Sequence, residues 1–229
     1  MVNFYIVAGP IGNLEDISLR TLRLLSEVDL ILCEDTRVTK KLLDKYKIGT
    51  PTLSYHQHSK LNKVEYIIRF LREGKNLALV SDAGTPGISD PGNKLVKAAV
   101  ESLSADLVKI VPIPGPSAVT AAASVSGFPM DKFLFLGFPP AKRKRKKFFE
   151  EVVSSRYPAI FYESPYRIIK TLNELNSLYT RYSIRNTNIV VCRELTKKFE
   201  TTYRGKIDEV IKKIEKNTIK GEFVVIIGK

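Results

Sequence analysis

The stretch FYIVAGPIGNLEDISLRTLRLLSEVDLILC, residues 4–33, decides the fold class. Phe4 to Ala8 is a short apolar run halted by GPIGN, which reads as a buried strand ending in a turn. LEDISLRTLRLLSEV then takes up a helical pattern. It places Leu19, Leu22 and Leu25 close enough in phase to face a sheet, with Asp16 or Ser18 to cap its start. Asp29 to Cys33 is a second apolar run. Strand, helix and strand alternate within about 35 residues, the pattern of an α/β fold with a parallel sheet.

The alternation continues in both content and spacing. EDTRVTKKLLDKY resumes a helix, and LNKVEYIIRFLREG puts Val64, Ile67, Ile68 and Leu71 on one face with Gly74 at its carboxyl end. Asn76 to Val80 reads as a strand, SDAGTPGISDPG as a long turn, NKLVKAAVES as a helix and Leu107 to Val111 as a strand. PIPGPSAVTAAASV is a rigid loop entering a helix of small residues. Residues 1–114 therefore predict four or five parallel strands with helices on both faces, a Rossmann-like domain.

FLFLGFPP opens a smaller mixed α/β domain, residues 115–229. Its expected elements are a basic helix near 142–154, a strand at Ala159 to Tyr162 and a helix near 166–177. NIVVCREL follows as a strand, with a candidate strand in ETTYRG. KIDEVIKKIEKN is a short amphipathic helix, and GEFVVIIGK supplies a last strand. The pattern gives no strand order for this half.

Composition is that of a globular chain, 44% hydrophobic and 27% charged, with a formal charge of +13. Such a surplus favours an anionic partner, nucleic acid first and an acidic membrane surface second. Cys33 and Cys192 lie in the apolar runs LILCE and IVVCR, as reduced core residues do. No CxxC or HExxH occurs, and no metal site is expected. FYIVAG has no basic leader before it and no long apolar span after it. A cytoplasmic protein with no membrane span is therefore expected.

Three loops carry the residues that let a backbone approach a ligand: residues 8–13, 81–92 and 112–117. None has the GxGxxG or GxxxxGK pattern, so an NTPase-type phosphate loop is not supported. Asp82 and Asp90 flank AGTPGIS and either cap local amides or meet a cationic ligand group. Glu34-Asp35-Thr36-Arg37 follows a strand directly. Asp35 either caps the next helix with Arg37 on the surface, or the carboxylates meet substrate while Arg37 takes a phosphate. His56 and His58 share an extended face and are two ligands short of a usual metal site. The densest charge is Lys142-Arg143-Lys144-Arg145-Lys146-Lys147, suited to neutralising phosphates, with Phe148 and Phe149 as core anchors behind it.

Eight stretches recur together in one order over nearly the whole chain: IVAGPIGNLEDISLRTL, LILCEDTRVTKKLL, LVSDAGTPGISDPG, VPIPGPSAVTAA, FLFLGFPP, FYESPYRI, CRELTKKFE and KGEFVVIIG. On these the chain resembles the tetrapyrrole methylase superfamily. Within it, the chain is most similar to the bacterial group that methylates a cytidine ribose 2'-hydroxyl in small-subunit (16S) ribosomal RNA. The resemblance implies a homodimeric enzyme dependent on S-adenosyl-L-methionine, acting on 16S rRNA or the small ribosomal subunit, with cofactor in the cleft between its two domains. It carries cofactor contacts onto Pro10, Asp82, Ala83, Gly84, Thr85, Ser117, Ala118, Glu163 and Glu222. Glu34, Asp35 and Glu163 are the candidates for taking the hydroxyl proton. Arg37, Lys142, Arg143, Lys144, Arg145, Lys146 and Lys147 are those for holding RNA. Two departures stand out: many close relatives have threonine in place of Gly9, and many continue with a small helical extension past GEFVVIIGK. A superfamily methylase acting on a small tetrapyrrole-like substrate, or an RNA-binding protein without catalysis, remain the alternatives.

Overall fold

A computed structural model of the chain describes residues 1–56, 61–90, 92–184 and 187–229. These fall into two compact units, Met1–Ser117 and Ala118–Lys229.

The first unit runs β1 (Val2–Val7), α1 (Leu19–Glu27), β2 (Leu30–Cys33), α2 (Thr36–Lys45), β3 (Thr52–Ser54), α3 (Leu61–Arg72), β4 (Leu77–Val80), α4 (Gly92–Ser102) and β5 (Val108–Ile113). The strands form one sheet in the order β3-β2-β4-β1-β5, parallel at every pairing. Alternation of side chains sorts the core into two layers. Leu30, Leu32, Leu77 and Leu79 face Ile67, Ile68 and Leu71 of α3 and Leu95 and Ala99 of α4. Ile31, Cys33, Ala78 and Val80 face Leu24 and Leu25 of α1 and Leu42 and Leu43 of α2. Coverage on both sides is why β2 and β4 read as unbroken apolar runs.

Ser18 caps α1, its hydroxyl accepting from the Thr21 N–H at 3.1 Å. Leu19 does not face the sheet as expected and is 85% exposed. Leucines three apart drift by about 60° per step in a helix of 100° per residue. Leu22 therefore lies beside the stripe, Leu19 well off it, and Leu24 takes the buried place.

The connections set the position of the loops. From β1 the chain goes to β2, beyond β4; from β4 it goes to β5, beyond β1. Neighbouring strands thus send their connections opposite ways, and their carboxyl ends are level, Val7 paired with Val80. Loops that diverge from such a point leave a crevice where open α/β sheets bind ligands. The loops are also stitched together: the Ala8 N–H donates to the Ile113 carbonyl at 3.1 Å and the Gly9 N–H to the Gly84 carbonyl at 2.9 Å. A Cβ at Gly115 would stand 3.0 Å from both the Cβ and the carbonyl oxygen of Ala8, so glycine is what lets β1 and the loop after β5 approach. Among the described residues, a Cβ at Gly9 would meet nothing within 4 Å, which leaves open space at the mouth of the crevice.

The second unit runs α5 (Ala118–Ser126), β6 (Leu134–Phe135), α6 (Arg145–Ser154), β7 (Ala159–Glu163), α7 (Ile168–Arg181), β8 (Asn188–Arg193), β9 (Thr201–Lys206), α8 (Ile207–Glu215) and β10 (Phe223–Ile227). Its sheet is mixed, in the order β6-β7-β10-β8-β9, with only the β6–β7 pairing parallel. Phe161, Val191 and Val225 pack against α6, α7 and α8. Ile160, Val190, Cys192, Val224 and Ile226 pack against α5, whose Ala122 and Ala123 allow close contact. The candidate strand in ETTYRG is realised as Thr201–Lys206, whereas FLFLGFPP yields only two paired residues. Cys33 and Cys192 are both free and buried, and burial pushes both thiols up.

Two substitutions test this packing. Gly115→Ala is expected to destabilise by about 1–3 kcal/mol through the Ala8 backbone clash, while Gly9→Ala is neutral or stabilising by up to about 1 kcal/mol, both read by denaturant unfolding. Tyr179 is buried in the core of the second unit, and among the described residues its hydroxyl finds no hydrogen-bond partner. Tyr179→Phe should therefore leave stability unchanged or raise it by about 1 kcal/mol, and a fall in thermal midpoint would show that the hydroxyl is satisfied.

Candidate functional site

At the crevice of the first unit the strand-end loops gather acidic groups. Asp82, in the loop after β4, accepts from the Asp35 backbone N–H through Oδ1 at 3.0 Å and so ties the ends of β4 and β2 together. Asp90 does what turn aspartates do, taking the N–H groups of Gly87 and Gly92 at 2.9 and 2.7 Å. Ser81 donates to the Ala83 and Gly84 carbonyls at 3.2 Å, and the Thr85 hydroxyl points at the Pro116 carbonyl at 3.5 Å. Gly84 is left-handed at φ +76°, and a Cβ there would press on Ile11 at 3.3 Å. Pro10, Thr85 and Ser117 are half-buried, Asp82 and Ala83 exposed.

Glu34 and Asp35 part company chemically. Asp35 caps α2 and grips Arg37, with the guanidinium at 2.7 to 3.2 Å and the Arg37 N–H at 2.8 Å. The Arg37 side chain, then its N–H, hold the Asp35 carboxyl down to about 2. Glu34 is half-buried, and burial together with the charges of Asp82 and Asp90 pushes its carboxyl above the ordinary value. Asp35 adds to that rise and His56, which is exposed, opposes it. Glu34 is thus the group of this pair with appetite for a proton. Arg37 stays on the surface, its charge shared with Asp35. His58 lies outside the described residues, as does Pro91 of the long turn.

In the second unit two of the expected site residues are buried. Glu163, a candidate cofactor contact and proton acceptor, is 1% exposed at the end of β7. Its Oε1 pairs with Arg167 at 2.8 Å and accepts from the Ser164 N–H at 2.8 Å. Its Oε2 accepts from the Thr171 hydroxyl at 2.6 Å and lies 3.9 Å from Arg145. Arg145, expected to hold RNA, is buried in the same cluster. It binds Glu174 at 2.7 Å, Thr171 at 2.6 Å and the Pro140 carbonyl at 3.1 Å, and its guanidinium lies over the Phe149 ring. A charge taken out of water needs a partner, and each group supplies the other's. The remaining five cations, Lys142, Arg143, Lys144, Lys146 and Lys147, are all exposed. Helix α6 begins only at Arg145, and Lys144 before it is left-handed at φ +65°.

Glu222 is exposed, its carboxylate 3.0 Å from the Lys197 ammonium, which also binds Glu194 at 2.8 Å. Glu194 takes the Glu222 N–H at 3.0 Å, and Arg193 takes the Lys220 carbonyl at 2.7 Å. The CRELTK stretch is therefore the staple that holds the turn before β10. Ala118 opens α5. The residues missed from sequence are Arg167 and Thr171. The spacing of Glu163 and Arg167, four apart, was the available signal. Among the described residues no group of three or more His, Cys, Asp or Glu could hold a metal ion, and no helix is long and apolar enough to cross a membrane.

Known proteins of two kinds resemble this chain. A Ribosomal RNA small subunit methyltransferase I of Halalkalibacterium halodurans is 43% identical over 97% of the chain and 74% of its own length. The protein of the same name from Thermotoga maritima is 42% identical over 100% of the chain and 99% of its own length. Among solved structures, the methyltransferase CobJ superposes with a TM-score of 0.71 at 17% identity, over 100% of this chain and 95% of that one. The cobalamin biosynthetic enzyme cobalt precorrin-4 methyltransferase, CbiF, does so with 0.67 at 20%, over 99% and 94%. The sequence profile of the Tetrapyrrole (Corrin/Porphyrin) Methylases matches residues 3–211. With that profile matching residues 3–211 of 229, the chain belongs to the tetrapyrrole methylase family.

Proposed function

We propose that the protein transfers a methyl group from S-adenosyl-L-methionine to a cytidine ribose 2'-hydroxyl of 16S ribosomal RNA, acting as a cytoplasmic homodimer on that RNA or on the small ribosomal subunit. The observation that carries the reading is electrostatic. A chain of net charge +13 gathers Glu34, Asp35, Asp82 and Asp90 at one end of its parallel sheet. A cofactor bearing a sulfonium and an ammonium fits such an acidic mouth, and the open space above Gly9 gives it room. Pro10 and the Asp82-to-Thr85 turn are the assigned contacts in the first unit, with Ser117, Ala118 and Glu222 as further contacts. Glu163, sealed by two arginines, serves by holding its surroundings. Relatives 42 to 43% identical point to ribosomal RNA; the tetrapyrrole enzymes, at 17 to 20%, speak to the fold alone.

When bound, the cofactor supplies an electrophilic methyl on a positive sulfur, which leaves as the thioether. The protein has to align the hydroxyl in line with that methyl and take up its proton as the ether forms. Glu34 is assigned that proton, since its raised carboxyl is the better base and Asp35 is committed to Arg37 and the α2 cap. The exposed cations Lys142, Arg143, Lys144, Lys146 and Lys147 neutralise RNA phosphates, with Arg37 beside the mouth.

Transfer of labelled methyl from S-adenosyl-L-methionine to purified small ribosomal subunits and to free RNA, with nucleoside mapping, tests the reaction. Label on a cytidine 2'-oxygen is expected; a different acceptor overturns the assignment. Glu34→Gln should lower kcat by about 10²-fold or more. It should also abolish the wild-type fall in rate as pH drops through the raised Glu34 value, because only the ionised carboxylate accepts a proton; Asp35→Asn should keep that profile. Reversing Lys142, Arg143 and Lys146 should weaken RNA binding and cut its salt slope by about 1 per lost phosphate contact, with cofactor affinity by calorimetry unchanged. Arg145→Ala, by contrast, should destabilise the protein by about 1–3 kcal/mol, because Glu174, Thr171 and the Pro140 carbonyl lose a buried donor while Glu163 keeps Arg167.

A further inference from the structure

The buried cluster around Glu163 does more than neutralise charge, because it fixes two surface loops to each other. Arg167 donates from Nη1 to the Pro139 carbonyl at 3.0 Å, and Arg145 from Nη1 to the Pro140 carbonyl at 3.1 Å. Both guanidinium groups are held by Glu163, and the Tyr162 N–H is held by the Gly137 carbonyl at 2.9 Å. The loop after β6 and the turn after β7 therefore form one rigid block. Proline at 139 and 140 removes further freedom.

Each loop carries an aromatic residue immediately before its clamped position. Phe138 precedes Pro139 and is 54% exposed, resting one side of its ring on Tyr162 with centroids 5.2 Å apart. Tyr166 precedes Arg167 and is 96% exposed. An apolar ring held fully in water on an otherwise clamped turn gains nothing for the fold. The same block runs directly into Lys142, Arg143 and Lys144, and the Arg145–Pro140 bond folds that basic turn back against it.

We infer that Phe138 and Tyr166 form a base-stacking platform for single-stranded RNA, flanked by the exposed cations of residues 142–147. The inference rests on the proposed RNA substrate and deepens it. Aromatic faces beside a cationic strip are how proteins hold unpaired nucleotides, since every base offers a π-face and phosphates follow the charge. Stacking on a protein ring also offsets the cost of drawing a nucleotide away from its neighbours in the strand. Rigidity matters as well, because a platform already fixed loses little entropy on binding.

Tyr166→Ala and Tyr166→Phe decide the matter, since a side chain so exposed can be cut without disturbing the core. Fluorescence anisotropy with a labelled single-stranded RNA oligonucleotide should show Kd raised about fivefold or more in Tyr166→Ala and within about twofold of wild type in Tyr166→Phe. The salt slope should be unchanged in both, because the phosphate contacts remain. Equal binding by wild type and Tyr166→Ala overturns the platform, as does failure of the wild type to bind. A changed oligomeric state of Tyr166→Ala in sedimentation also overturns it, by giving the ring to a second copy of the chain. Methyl transfer to small ribosomal subunits is run in parallel: if the wild type transfers nothing, the functional reading falls, and the anisotropy arm still judges the platform.

Discussion

Because β1 is hydrogen-bonded to β4 on one side and β5 on the other, three loops must leave the same edge of the sheet within two strand spacings, about 10 Å. Everything proposed for the first unit depends on that pairing. The parallel register brings Val7, Val80 and Ile113 level, so the backbone past each strand has no free choice of direction. The loop after β1 is trapped between its neighbours, and two backbone bonds from Ala8 and Gly9 secure it. Glycine at 84 and 115 follows from this crowding: one position is left-handed against Ile11, the other is pressed on Ala8. Gly9 obeys no such demand.

The second unit is organised around a different necessity. Its sheet ends in a carboxylate, Glu163, at the point where β7 leaves the core. A lone ion there would be costly, so the fold brings Arg145 from α6, Arg167 from the following turn and Thr171 from α7 onto it. Those side chains reach outward as well, to Glu174 and to the Pro139 and Pro140 carbonyls. A single buried charge thus coordinates two helices and two loops. Arg145 belongs to this interior although its neighbours in sequence are all cations in water.

Legibility in the sequence followed burial. β2 and β4, covered on both faces, were visible as apolar runs, and α3 was visible because Val64, Ile67, Ile68 and Leu71 keep one phase. β3 was not, since TLS is a short half-buried edge strand with no pattern to offer. FLFLGFPP, largely apolar, contributes only two residues to the sheet. Gly137 turns left-handed at φ +64°, and prolines cannot donate to a ladder. The acidic loops were legible as chemistry, but the division between Glu34 and Asp35 was not, because it depends on which carboxylate the α2 cap consumes. Charge density marked the 142–147 run as a surface. Only three-dimensional packing could single out Arg145, four residues before the Phe149 ring it covers.

The distribution of charge then explains how one protein can attract both a cation and a polyanion. At physiological ionic strength exposed charges are screened beyond about 8 Å. A compact group of carboxylates therefore keeps its own local field within a chain of net positive charge. Within the mouth, burial first and then the charges of Asp82 and Asp90 push the Glu34 carboxyl up. Mutual repulsion among Glu34, Asp82 and Asp90 is relieved when a positive group enters, so the acid cluster binds a cation more readily than any one carboxylate would. Arrival of that charge also lowers the Glu34 proton affinity. The same cation that the acid cluster draws in thus favours the ionised form of Glu34.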